Sequence, residues 1–356
     1  MIQQTCEQVN AEDDWEKHWP RLEKARWTVL RDRTADEMAR GMTLARLATE
    51  TGVSRSRLEI WLERWSQFHN ACNFDFSGQM GEKSGSLLIA EALEKRFAEL
   101  DEERDLIQVN PGRIETSVMH AVMEGIATAR ELSVTVLIDA APGLGKTEGL
   151  REYVARSRKA EGFGCPVWTI ELREYNLSNK AILAQIAGQC VKGRVDGTTE
   201  FSMDQAICEA ASGRGGVLIV DEGQILADAI RGVSMLNGLR SFPDRNIFGN
   251  TIMGNGENYR RLASGGKYAQ LLSRVESHRV QIAGLHAGKP GQPALTEDDV
   301  DAFMAAWGVS GVEARRVCME VVKGVGALRS LAGLFQRSLR RFDAIDAGTL
   351  KRIRGS

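Results

Sequence analysis

The sequence predicts an α/β protein: a parallel sheet flanked by helices, with a helix-turn-helix domain before it and a small helical domain after it. Three observations carry this. Between about 107 and 290, apolar runs of strand length alternate with stretches of helical spacing, the pattern of a parallel sheet covered on both faces. One such run, 134–138, passes straight into a glycine-rich loop that opens a helix. The segments on either side show helical spacing only.

At 356 residues the chain has room for two or three domains, each with its own core. The apolar fraction of 43% and charged fraction of 26% are those of soluble globular protein. A net charge of −2 carries no global nucleic-acid signature, so DNA binding has to come from local patches. The six cysteines are scattered without a C-x-x-C pair, which argues against a zinc site or a disulfide framework and for a reducing compartment. No apolar run reaches membrane-spanning length and the acidic start is unlike a signal peptide, so a cytoplasmic protein is expected.

The expected domains are 1–66, helical with the helix-turn-helix; 67–106, a linker and connecting helix; 107–290, the sheet domain; and 291–356, a helical lid with a basic tail. In the first, Leu44, Leu47 and Ala48 form one apolar face, Gly52 ends that helix, and Val53 fills the angle between helices. Ser54 caps a second helix that buries Leu58, Trp61 and Leu62. Ser54, Arg55, Ser56 and Arg57 then lie at its N-terminal end, where such motifs meet base edges and phosphates. A small bundle that pairs with protein is the other use of this pattern.

Turn formers dominate 67–84, and a charged helix with Leu87, Leu88, Ala90, Leu93 and Phe97 follows, its polar face read as solvated. Strands are expected at 134–138, 166–172, 217–220, 250–253 and 279–283, with helices at 145–159, 178–190, 203–212 and about 266–276. In the last segment Thr296 and Asp299 open a helix that Gly308 stops, and Ser310 opens the next. Leu328, Leu331, Leu334, Phe335 and Leu339 mark a final amphipathic helix. Its tail holds Arg337, Arg340, Arg341, Lys351, Arg352 and Arg354 against two aspartates.

Ala140, Ala141, Pro142, Gly143, Leu144, Gly145, Lys146 and Thr147 read as a phosphate-binding loop. Glycines let backbone N–H groups turn inward around a polyphosphate, and the helix that follows presents its positive end to the same charge. Lys146 is expected on the β- and γ-phosphates, Thr147 on Mg2+, and the backbone from Ala141 to Glu148 around the phosphates. The pattern wants glycine at 140, where alanine is tolerated if φ stays negative. Asp221 and Glu222 end an apolar run 75 residues after Lys146, with room for two helix–strand units between. Asp221 is the expected Mg2+ ligand and Glu222 the general base that polarises the attacking water. Asn255, at the end of the 250–253 strand, is placed to orient that water or touch the γ-phosphate, although Gly254–Asn255–Gly256 also reads as a plain turn. Arg274, with Arg279 as competitor, is the candidate to reach a neighbouring subunit's nucleotide, and Arg329 to touch the phosphates from the lid.

In this order, the phosphate loop, the Asp221–Glu222–Gly223–Gln224 run, Met253–Gly254–Asn255 and Ser273–Arg274–Val275 resemble AAA+ ATPases. The details are similar to the MuB-like transposition target-selection ATPases, whose layout also places a helix-turn-helix domain first and a short helical domain last. The departures are Ala140, Gly223 where alanine is commoner in that family, and a longer N-terminal extension. None removes a catalytic group. The resemblance implies ATP and Mg2+ as cofactors and sequence-nonspecific binding of double-stranded DNA. It implies self-association into a helical filament, delivery of target DNA to a transposase, stimulation of strand transfer, and ATP hydrolysis stimulated by DNA and the transposase. An arginine supplied in trans agrees with a heterologous, non-closing interface. Candidate phosphate contacts in the sheet domain are Lys180, Lys192, Arg194, Arg260, Arg261 and Lys267, each equally readable as solvated surface.

The main rival reading is an AAA+ helicase loader or replication-initiator ATPase, which usually carries its helix-turn-helix after the ATPase domain. A secretion-type or signalling ATPase would normally add a membrane segment or a repeat domain. A nucleotide-gated transcription regulator that rarely hydrolyses is the non-enzymatic alternative.

Overall fold

A computed structural model of the chain describes residues 23–63, 85–106, 111–191, 199–228, 232–255 and 278–355. They fall into two compact units, Met1–Gln108 with Ser157–Gly164, and Val109–Arg156 with Cys165–Ser356.

The first unit contains helices α1 (Lys24–Ala39), α2 (Leu44–Thr51), α3 (Arg55–Glu63) and α4 (Gly85–Leu106). The Thr43 hydroxyl accepts the Arg46 N–H and starts α2, and Gly52, at φ 72°, ends it in the left-handed conformation expected of it. Val53, Leu58, Trp61 and Leu62 are buried as the sequence predicts. Trp61 anchors the core: its indole N–H donates to Ser86 Oγ at 2.8 Å, and its carbonyl accepts the Trp27 indole N–H at 3.0 Å. The expected connecting helix is instead a full member of this core. Leu87, Ile89, Ala90, Leu93 and Phe97 of α4 pack with Trp27, Leu47 and Trp61. Its polar face is correspondingly not just solvated: Glu94 accepts two bonds from Arg26, and Arg96 donates to Glu50 at 2.8 Å.

The second unit is built on five parallel strands in the order β2-β3-β4-β1-β5. They are β1 (Thr135–Ala140), β2 (Val167–Glu171), β3 (Gly216–Asp221), β4 (Phe248–Gly254) and β5 (Arg279–Ile282). Alternate residues of β3 feed opposite faces: Val217 and Ile219 join one core, Leu218 and Val220 the other. The helices are α5 (Ser117–Leu132), α6 (Lys146–Glu161), α7 (Asn179–Cys190), α8 (Glu200–Ala211), α9 (Gln224–Asp228) and α10 (Gly232–Asp244). Then come α11 (Glu297–Ala306), α12 (Val312–Val322), α13 (Ala327–Phe342) and α14 (Ala347–Arg354). Helices α7, α8 and α10 cover one face of the sheet, while α5 and the C-terminal helices share the core of the other.

Helices α5 and α10 are among those outside the sequence expectation. Helix α5 buries Val118, Met119, Ala121, Val122, Gly125, Ile126 and Ala129, a band too wide to read as one amphipathic stripe. Helix α10 carries Gly238 and Pro243, which read as breakers. The expected helix at 266–276 lies outside the described residues.

At the C-terminal end, Thr296 and Asp299 form the capping box of α11. Gly311, not Ser310, caps α12, and α14 follows the helix expected to be the last. Nor is the lid a separate body: Leu328, Leu331 and Phe335 lie in one cluster with Val136, Ile138 and Met253 of the sheet. The basic tail is partly neutralised, with Lys351 on Glu313 at 2.8 Å and Arg354 paired to Glu320.

Helix α5 rests on the backbone of β4. A Cβ on Gly249 would stand 1.8 Å from the Ala129 carbonyl oxygen. Gly249→Ala is therefore expected to push α5 off the sheet and cost about 3 kcal/mol of stability, measured by urea denaturation.

Candidate nucleotide-binding site

In a parallel sheet all strands end on the same edge, and here that edge collects the predicted groups. The loop 141–145 leaves β1, Asp221 closes β3, and Asn255 follows β4. Ala140 is the last residue of β1, paired with Ile282 and 2% exposed. It occupies a strand position without positive φ, so the missing glycine costs the loop nothing. The two loop glycines are in the left-handed region, Gly143 at φ 82° and Gly145 at φ 101°. Leu144 plugs the core below, while Ala141 and Pro142 face solvent.

Lys146 Nζ donates to the Ala140 carbonyl at 2.7 Å and the Ala141 carbonyl at 3.4 Å, holding the ammonium against the loop. Burial pulls its pKa below the ordinary lysine value, while Asp221 and Glu222 oppose that shift. Thr147 Oγ1 donates to Asp221 Oδ2 at 3.1 Å. Burial raises the Asp221 carboxyl above its usual range, against bonds from the Glu222 N–H and Thr147. A hydroxyl and a buried carboxylate side by side are hard oxygen donors suited to Mg2+. Glu148 turns along α6 to Arg151 at 2.7 Å, leaving only its backbone for a phosphate.

Glu222 is exposed and sits at φ 57°, so the chain turns sharply there. The Gly223 N–H then donates to the Met253 carbonyl at 2.7 Å. Gln224 Nε2 donates to Glu222 Oε2, and Gln224 Oε1 accepts the Asn255 N–H at 3.3 Å. Asn255 Oδ1 is buried and finds no partner among the described residues.

Two features have little signal in the sequence. Asp139, 3% exposed, accepts from Arg279 Nε at 3.0 Å. Burial raises its pKa, partly offset by Arg279. A lone charge at the end of an apolar strand was the available hint. The other is the lid contact. The Arg329 N–H donates to the Gly143 carbonyl at 3.2 Å, and a Cβ on Gly143 would stand 2.0 Å from the Gly326 carbonyl oxygen. Gly143 thus serves close approach as well as loop conformation. The exposed Arg329 lies near enough to Lys146 to lower its pKa.

Arg274, Lys192, Arg194, Arg260, Arg261 and Lys267 lie outside the described residues. Lys180 is exposed in the first turn of α7. Ser54, Arg55, Ser56 and Arg57 are exposed at the start of α3, with Arg55 paired to Glu59 at 2.7 Å.

The family model for an AAA domain matches residues 133–262, which include β1 to β4, the loop and the Asp221–Glu222 pair. The second unit therefore holds a P-loop domain of the AAA+ class. Over 225 residues the chain is 24% identical to the ATP-dependent target DNA activator B of Escherichia phage Mu and to that of Escherichia phage D108. The chain is similar to both activators over that length. Each match covers 62% of this chain and 64% of the relative, so the chain spans just under two thirds of their length. Among solved structures, the Aeropyrum pernix ORC1 protein in complex with DNA aligns at a TM-score of 0.44 and 16% identity, covering 67% of this chain and 64% of that one. Among the described residues no helix is long and apolar enough to cross a membrane.

Affinity for a fluorescent ATP analogue with Mg2+ is expected to weaken on both flanks of neutrality. On the acid side the loss begins above the ordinary aspartate range, because protonating Asp221 would remove a candidate Mg2+ ligand. On the alkaline side it begins below the ordinary lysine range, because Lys146 gives up its charge early. Equilibrium titrations at constant ionic strength from about pH 5 to about pH 10 check this, with flat affinity the contrary result.

Proposed function

We propose that this chain is an ATP-dependent, sequence-nonspecific double-stranded DNA-binding ATPase of the AAA+ class. It assembles on target DNA and presents that DNA to a transposase to stimulate strand transfer. The observation that carries the enzymatic part is the gathering of Lys146, Thr147–Asp221, Glu222 and Asn255 at one sheet edge. The transposition part is supported by likeness to two proteins named as ATP-dependent target DNA activators.

In this reading the loop amides and Lys146 bind the β- and γ-phosphates, and the α6 N-terminus adds its positive dipole end. Thr147 and Asp221 would hold Mg2+, which supplies charge neutralisation on the phosphate oxygens. Glu222 takes a proton from water as its oxygen bonds to the γ-phosphorus. The bond to the β,γ-bridging oxygen breaks, and that oxygen leaves on ADP with the electron pair. Arg329 approaches the same phosphates from α13.

Arg279 is engaged by Asp139 within its own sheet, which supports Arg274 as the arginine supplied in trans to a neighbouring subunit. Such a head-to-tail contact builds a helical filament when it does not close. DNA contact then falls to many weak sites repeated along the assembly, with Ser54, Arg55, Ser56, Arg57 and Lys180 as exposed candidates. Lys192, Arg260, Arg261 and Lys267 complete the proposed set. A protein of net charge −2 can grip phosphates in this way, and the grip is strongly salt-dependent.

Electron microscopy with ATP and duplex DNA is expected to display regular filaments that Lys146→Ala abolishes. Glu222→Gln should keep the filaments while ATP turnover falls by about 100-fold or more. Isolated monomers on DNA, or Glu222→Gln turnover equal to that of the unaltered protein, would overturn the proposal.

A further inference from the structure

Two connections join the turn after β3 to the tip of β4. One is the backbone bond from the Gly223 N–H to the Met253 carbonyl, which any residue at 223 with a free N–H supplies. The other depends on a side chain. Gln224 donates through Nε2 to Glu222 Oε2 and accepts through Oε1 from the Asn255 N–H. The last β4 residue paired with β1 is Gly254, so the Asn255 N–H lies past the ladder and needs a partner from elsewhere. One carboxamide meets both demands because it carries a donor at one end and an acceptor at the other.

From this geometry we infer that Gln224 is a positioning residue for ATP hydrolysis, fixing the Glu222 carboxylate and the Asn255 segment in one arrangement around the attacking water. This rests on the proposed ATPase reading.

Three features of the site support it. Glu222 is solvent-exposed and its backbone lies in the left-handed region, so its side chain has little packing to orient it. Gln224 holds only Oε2, leaving Oε1 to take the water proton. Asn255 Oδ1 is buried and finds no partner among the described residues, so an acceptor stands ready for a water hydrogen beside the group Gln224 holds. Both ends of the carboxamide are engaged, by Glu222 Oε2 and by the Asn255 N–H. It acts through Glu222 and Asn255 and is expected to move kcat rather than substrate affinity.

The substitutions separate the two bonds. Gln224→Ala removes both. Gln224→Glu keeps the acceptor for the Asn255 N–H and replaces the donor with a second carboxylate facing Glu222, until that carboxyl protonates and donates again.

The test is steady-state ATP turnover of the full chain, with Mg2+ and duplex DNA, compared with the unaltered protein at each pH. Gln224→Ala is expected to lower kcat by about 10- to 100-fold with KM unchanged. Gln224→Glu should match that loss near pH 8 and recover towards the unaltered rate as the pH falls towards about 6. Circular dichroism and binding of a fluorescent ATP analogue establish that the variants fold. An unchanged kcat in Gln224→Ala overturns the inference, as does a Gln224→Glu loss that does not vary with pH. A rise in KM without a fall in kcat overturns it too, by placing Gln224 in binding. Absence of turnover in the unaltered protein would instead sink the ATPase reading itself.

Discussion

The parallel register of β3, β4 and β1 is the constraint on which the rest of the second unit depends. It sets Asp139 opposite Gly254 and Val220 opposite Ile252, so that three strands run out at the same edge. The phosphate loop, the Asp221–Glu222 pair and Asn255 are far apart in the chain and adjacent only because of this pairing. A slip of one residue in β3 would carry Asp221 to the other face of the sheet and separate it from Thr147. The buried residues of β3 and β4 make such a slip prohibitive, since it would exchange the two apolar cores.

That edge is electrostatically expensive. Lys146, Asp221 and Asp139 are each shifted by burial towards their neutral forms. The molecule offsets this by local pairing: Lys146 on the loop carbonyls, Asp221 with Thr147 and the Glu222 amide, Asp139 with Arg279. The first two pairings use groups that the proposed nucleotide and Mg2+ would engage. The third does not, and it binds β1 to β5 directly beneath the loop. Two kinds of polar contact therefore coexist within a few residues, one exchangeable for ligand and one structural.

What was legible in the sequence follows the same division. The strands that form the edge announce themselves as apolar runs, and the loop, Asp221, Glu222 and Asn255 follow from their positions at strand ends. Ala140 looked like a defect in the loop and is a strand residue instead. Hidden from sequence were the features set by contact between distant segments. Nothing in the spacing of α5 says that it lies on Gly249, and placing Arg329 towards the phosphates does not by itself say that Gly326 meets Gly143. The charged face of α4 read as solvated because its partners, Arg26 and Glu50, are 68 and 46 residues away from theirs. Periodicity reports which face of an element is buried, not what covers it.

The arrangement also bears on why hydrolysis would be coupled to assembly. Arg279, the described arginine on the strand beside β1, is committed to Asp139. Arg329 enters from the lid, and its backbone is tied to Gly143, so its approach depends on the loop keeping its shape. Arg329 lies near enough to Lys146 to disfavour the charged ammonium when no anion lies between them. Adding a third cation from within the same chain would deepen that repulsion in the nucleotide-free protein. Supplying it from a neighbouring subunit removes the penalty until ATP and the neighbour are both present. On the proposed reading, the same electrostatics that make the lone site costly make its completion conditional on the polymer.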